Sequence, residues 1–86
     1  MKPLRYVRRS EILNRLGVSN STLFNRINDG SFIPSVKLGG RATGWIEYEV
    51  DTVLAAMAAG KSGTELRKVV TGLVHARQDY LDITEA

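Results

Sequence analysis

Asn20, Ser21, Thr22, Asn25 and Arg26 lie within one short stretch of this chain. Their donors and acceptors match those on base-pair edges: Asn bonds adenine through a paired donor and acceptor, Arg does the same with guanine, and Ser and Thr suit either. On a helix advancing about 100° per residue, Leu23, Phe24 and Ile27 cluster on one side and are expected to pack inward. The opposite side then presents Ser21, Thr22 and Asn25, with Arg26 and Asn28 at its margins and Asn20 in the first turn. Taken alone, such a face is more often an ordinary solvated helix surface. Its neighbourhood favours chemistry. Gly39-Gly40-Arg41 places a cation on a tight hairpin, where it can enter a narrow minor groove or hold a phosphate. Lys37 and Thr43 flank that tip, Arg8 and Arg9 precede the first helix, and Ser19 opens the second. These are candidate contacts to a nucleic-acid backbone, which position a protein without reading sequence.

Two short helices and a hairpin must position these residues. The first is expected over Ser10–Gly17, with Ser10 as its N-cap, Ile12, Leu13 and Leu16 as its apolar face, and Gly17 as its stop. Ser19 can cap a second helix over Asn20–Asn28, which ends before Gly30. Helices joined by only two or three residues must turn sharply, which is the helix-turn-helix pattern. Residues 1–7 read as an extended arm or short edge strand. Pro34 restricts its own segment to an edge strand or loop. Val36 and Leu38 alternate with Lys37, and Gly39-Gly40 predicts a two-residue hairpin turn returning to a core Trp45. A third helix is expected over Glu47–Ala59 from Val50, Val53, Leu54 and Met57. Residues 60–63 form the one plausible hinge. After it, Ser62 and Glu65 match a capping box and open a long amphipathic helix. Its stripe of Leu66, Val69, Val70, Leu73, Val74, Tyr80 and Leu81 is interrupted only by Arg77.

Composition narrows the classes. The chain has 86 residues, no cysteine, one histidine and a net charge of +3. Residues 1–45 hold eight Lys and Arg against two Asp and Glu, whereas residues 46–86 hold four against seven. A basic N-terminal half points to a polyanionic partner. His75 without cysteine or a second histidine leaves no zinc site. Glu47, Glu49 and Asp51 suggest a carboxylate pair, but their place at a helix start explains them more simply. Gly39-Gly40 is too short to cradle a phosphate as a Gly-x-x-x-x-Gly-Lys loop does. An enzyme is therefore not expected, nor any cofactor. The opening residues lack the apolar run of a signal peptide, and no stretch approaches the roughly 20 apolar residues of a membrane span. A cytoplasmic location without membrane contact is expected.

The run Arg8-Arg9-Ser10-Glu11-Ile12, then Gly17-Val18-Ser19-x-Ser21-Thr22-Leu23-Phe24, then Gly30-x-Phe32, resembles the AlpA-type regulators of phages and prophages. The likeness continues through Val36-Lys37-Leu38-Gly39-Gly40-Arg41-Ala42-x-Gly44-Trp45 and Glu49-Val50-Asp51. It covers roughly the first 60 residues. The resemblance implies a winged helix-turn-helix similar to those of MerR-type proteins and phage excisionases. It also implies a mobile-element protein acting as a transcriptional regulator, a recombination directionality factor, or both. Family members often carry a basic residue where this chain has Asn20 or Asn25, so no base preference carries over.

The expected fold is thus mainly α, a small winged helix-turn-helix over residues 1–60 with a two-stranded wing, followed by an amphipathic helix over 61–86. That helix either folds back on the domain or pairs with a second copy, and the second is favoured, so that a chain ending at Gly60 keeps its helices but loses self-association. The expected partners are double-stranded DNA, a second copy of the chain and, for an excision role, a recombinase. Two alternatives stay open: a protein-interaction module using the third and last helices, and a nonspecific nucleic-acid binder with steep salt dependence.

Overall fold

Helices start and stop where the backbone's own hydrogen bonds are supplied. In the computed structural model, which describes residues 4–84, the order is β1 (Tyr6–Val7), α1 (Arg9–Leu16), α2 (Asn20–Asn28), β2 (Val36–Gly39), β3 (Ala42–Ile46), α3 (Glu47–Ala58), α4 (Gly63–His75) and α5 (Arg77–Thr84). Residues 1–3 of the expected arm and 85–86 of the expected last helix lie outside the described residues. The cap of α1 is Arg8, not Ser10: the amides of Glu11 and Ile12 both donate to the Arg8 carbonyl at 3.1 Å. Strand β1 runs directly into the helix, so Ser10 already lies inside its first turn. Gly17 ends α1 at φ 66°, and its amide donates to the Leu13 carbonyl at 2.8 Å. A left-handed residue here lets the chain reverse within three residues, as the helix-turn-helix requires.

The sheet is antiparallel, in the order β1-β3-β2. Strand β1 pairs Tyr6 with Ile46 and Val7 with Trp45, adding a third strand to the expected wing. The hairpin pairs Lys37 with Thr43 and Gly39 with Ala42, with a bulge between Lys37 and Gly39. The turn therefore falls on Gly40 and Arg41, one residue later than expected. Gly39 and Gly40 take φ 113° and 54°, values that L side chains rarely adopt. Gly44 serves close approach instead: a Cβ there would meet Leu38 Cδ1 at 3.0 Å and the Val7 carbonyl oxygen at 3.3 Å.

The core gathers Val7, Ile12, Leu23, Phe32, Ile33, Trp45, Val50 and Val53 with Leu66 and Val70 of α4. Trp45 is fully buried, and its indole N–H donates to the Ile33 carbonyl at 2.9 Å, which satisfies the one polar atom it brings inside. Helix α4 thus folds back on α3 and completes the same core. The side chain of Ser62 makes no capping hydrogen bond, and Glu65 pairs with Lys61 at 3.0 Å instead of closing the expected capping box. The long final helix also breaks at Ala76, whose amide turns back to the carbonyls of Gly72 and Val74.

That break accompanies the burial of an ion pair. Glu49 is fully buried, and Arg77 Nη2 lies 2.7 Å from its Oε1. Arg77 Nε donates to both carboxylate oxygens, at 3.2 and 3.0 Å, and Nη2 also reaches the Pro34 carbonyl at 2.9 Å. The Tyr80 hydroxyl lies 3.4 Å from Glu49 Oε2. Burial, followed by the charge of Glu49, raises the Tyr80 phenol above its ordinary pKa. Arg15 makes a second clamp, pairing with Glu11 at 2.6 Å, Glu47 at 3.2 Å and Asp51 at 3.1 Å to hold α1 against α3. The hydrogen bond with Glu11 leads the contributions that raise the Arg15 pKa. All three carboxylates at the start of α3 are therefore engaged by arginine.

Candidate nucleic-acid interface

Ser19 opens α2 by accepting from the Thr22 amide at 3.3 Å, while its hydroxyl donates to Thr22 Oγ1 at 3.2 Å. Thr22 is thereby tied into the cap and is half-buried. Leu23 is fully buried and Ile27 packs against the core, but Phe24, expected inside, is 61% exposed. The reason is angular. Leu23 and Ile27 are about 40° apart around the axis and fix the inward direction, which leaves Phe24 about 100° from Leu23. The outward face therefore carries Asn20, Ser21, Phe24, Asn25 and Asn28, all exposed.

Asn20, Ser21, Phe24 and Asn25 line an open depression of about 570 Å³ together with Arg9. Arg9 is held in place by its own neighbours. Its guanidinium lies 5.4 Å from the centroid of the Trp45 ring, and its Nη1 is 3.5 Å from Asn20 Oδ1. Arg26 is turned elsewhere, lining a separate depression with Asp29, Ser31, Lys61 and Arg67. Of the five residues expected to read bases, the fold gathers Asn20, Ser21 and Asn25 on one face. It sets Thr22 into the cap and Arg26 on another side.

The wing is joined to this region through Trp45. Side chains alternate along a strand, so Thr43 shares a sheet face with Trp45. Lys37, paired with Thr43, lines a separate depression with Tyr6, Ile46, Arg77 and Tyr80. Trp45 is the residue that Arg9 covers, and Arg9 borders the α2 depression. Arg41 stands exposed at the hairpin tip, and Arg8 is exposed at the start of α1. None of Arg8, Arg9, Lys37 and Arg41 takes part in an ion pair among the described residues. The two acids of the first 45 residues are occupied: Glu11 by Arg15, and Asp29 by the hydroxyl of Ser31 at 2.6 Å and its amide at 2.9 Å. Those bonds, the hydroxyl first, hold the Asp29 carboxyl below the ordinary carboxylate range. Arg9 thus brings uncompensated positive charge to the depression, and Arg8, Lys37 and Arg41 add exposed, unpaired cations to the N-terminal half, which suits a polyanion.

The apolar stripe of the last helices is divided in use. Leu66 and Val70 are buried and Leu73 packs on the core, whereas Val69, Val74 and Tyr80 are half-buried and Leu81 is 57% exposed. Among the described residues no helix is long and apolar enough to cross a membrane, and no group of three His, Cys, Asp or Glu could hold a metal ion.

A family model described as prophage CP4-57 regulatory protein (AlpA) matches residues 5–55, from the approach to β1 into α3. The chain belongs to the AlpA family of prophage regulatory proteins. The matched region contains α1, α2, the whole sheet and every residue that lines the α2 depression. It ends before α4 and α5. A relative, the uncharacterized protein ORF88 of Enterobacteria phage P4, is 37% identical over 57 residues, which is 66% of this chain and 65% of that protein. No solved structure matches the chain. In this AlpA-family chain, α4 and α5 thus lie beyond the family region, yet α4 completes its core and α5 supplies the partner of Glu49.

Proposed function

We propose that this AlpA-family protein binds double-stranded DNA at particular sequences and serves a mobile element as a transcriptional regulator, an excision factor, or both. One observation carries the reading. Arg9, braced on Trp45, borders the same depression as the exposed amides of Asn20 and Asn25, and neither it nor the exposed Arg8, Lys37 and Arg41 has a carboxylate partner among the described residues. Polar side chains near the N-terminus of the second helix are where a helix-turn-helix meets base edges. Arg8, Arg9, Lys37 and Arg41, with Ser19 and Thr43, supply contacts to the sugar-phosphate backbone on either side. In the excision role the protein would bind beside a recombination site and favour excision by a recombinase. Two copies on adjacent half-sites, with Val69, Val74, Tyr80 and Leu81 at their contact, belong to the same reading.

The test is duplex binding by the double variant Asn25→Ala/Arg41→Ala. Both side chains are exposed, so the fold is expected to persist while specific binding is lost. Full binding by the folded variant would refute the reading and favour a protein-interaction surface. A promoter reporter and an in vitro excision assay then separate regulator from excision factor.

A further inference from the structure

Phe24 is the anomaly of the candidate interface. The chain has two phenylalanines: Phe32 is 1% exposed and buried in the core, whereas Phe24 is 61% exposed in the middle of an otherwise polar helix face. It lies one turn from Asn20 and one turn from Asn28, with Ser21 and Asn25 beside it, and it lines the depression bordered by Arg9. A partner that fills this site must be anionic at the edge that Arg9 borders, polar where it meets the asparagines, and apolar at one point between them.

The major groove offers that combination at one kind of base pair. Thymine presents a 5-methyl group there, the one hydrocarbon on the four base edges, and the adenine paired with it presents the donor and acceptor that asparagine matches. Four residues of helix rise about 6 Å, against about 3.4 Å for one base-pair step. Asn20 or Asn28 therefore addresses pairs within about two steps of the one that Phe24 meets. We infer that Phe24 is a specificity-determining residue that packs against thymine 5-methyl groups in the major groove, giving the target site an A·T pair opposite the middle of α2. This rests on the DNA-binding reading above. A protein partner fits less well, because Arg9 at the edge of the site and the other exposed cations of the N-terminal half, Arg8, Lys37 and Arg41, have no carboxylate partner among the described residues.

Replacing thymine by uracil removes the methyl group and nothing else. The probe is a duplex enriched by the wild-type chain from a random pool, resynthesised with uracil at each thymine in turn. At one or two positions the wild type is expected to bind about fourfold more weakly, the worth of one buried carbon group. Phe24→Ala is expected to bind the thymine duplex more weakly by a similar factor and to ignore uracil at those same positions. Its thermal unfolding should match the wild type, since the side chain lies outside the core. Equal wild-type binding to every uracil duplex overturns the inference while leaving sequence-specific binding in place. So does a uracil penalty that persists in Phe24→Ala, or an enriched site without thymine. If no duplex is enriched, both this inference and the DNA-binding reading fall.

Discussion

Replacing Arg77 with Met should strand a carboxylate inside the protein. Glu49 is fully buried and Arg77 is 20% exposed, so the pair lies largely out of water. Removing one partner of a buried pair typically costs about 3–5 kcal/mol, because the remaining charge loses its compensation. A domain of this size has roughly 4–13 kcal/mol of stability in total, taking 0.05–0.15 kcal/mol per residue. Each kcal/mol shifts the Tm of so small a domain by about 4–8 °C, so Arg77→Met should fall by roughly 12–40 °C. Urea and thermal unfolding followed by circular dichroism measure this directly. The control is Glu49→Leu/Arg77→Met. Both variants lose the bond from Arg77 to the Pro34 carbonyl, so their difference reports chiefly the stranded carboxylate. The double variant should recover most of the loss, since a buried pair replaced by apolar groups is often neutral or stabilising. Arg77→Lys should recover little, because an ammonium cannot make the forked contact to both oxygens and reach Pro34. Arg77→Met within about 1 kcal/mol of wild type, or a double variant no more stable than the single one, would refute the account of α5 as clamped through Glu49.

A chain ending at Gly60 loses Leu66 and Val70 from the core and Arg77 from Glu49, so it should lack a cooperative unfolding transition; a sharp native-like transition would show that α4 and α5 are dispensable. Gly44→Ala should destabilise by about 1–3 kcal/mol. Leu38→Ala should relieve it only in part, because the Val7 carbonyl remains 3.3 Å from the added carbon; full relief in urea unfolding would contradict that contact. The Tyr80 phenol has its pKa raised in the fold, so its contribution is complete below pH 10 and is lost as pH rises beyond it. Tyrosinate absorbance should accordingly show a late phase above pH 10 that Tyr80→Phe removes. Replacing Arg41 or Lys37 by Ala should weaken binding to all duplexes alike and lower the salt slope by about one each, whereas Asn25→Ala should change which sequence is preferred. A uniform loss for Asn25→Ala would remove it from the reading face.

The helix-turn-helix and the wing were legible because local rules decide them. Gly17 with Ser19 dictates the sharp turn between α1 and α2, and Gly39 and Gly40 dictate the hairpin. Where two local rules compete, the reading slips by a residue or two. Ser10 is a better capping residue than Arg8, but the pairing of β1 with β3 sets the helix start at Arg8. The bulge after Lys37 moves the turn onto Gly40 and Arg41. Phe24 reads as inward by its hydrophobicity, although the angle set by Leu23 and Ile27 places it outward. What the sequence did not disclose are contacts between distant residues. Glu49 looked like helix-dipole decoration and Arg77 like a flaw in an apolar stripe, and only the folded chain brings them together across 28 residues. The same holds for Leu66 and Val70, whose spacing suits a dimer seam as well as the core they enter.

The most direct test of the central claim is selection of bound duplexes from a random pool by the full chain, repeated at several salt concentrations. The expected result is one enriched motif containing A·T pairs, whose advantage over random duplex persists as salt weakens the backbone contacts, and whose repeat spacing, if any, reports assembly of copies. Enrichment of no motif, with binding that simply vanishes as salt rises, would contradict it and reduce the face of α2 to a phosphate clamp.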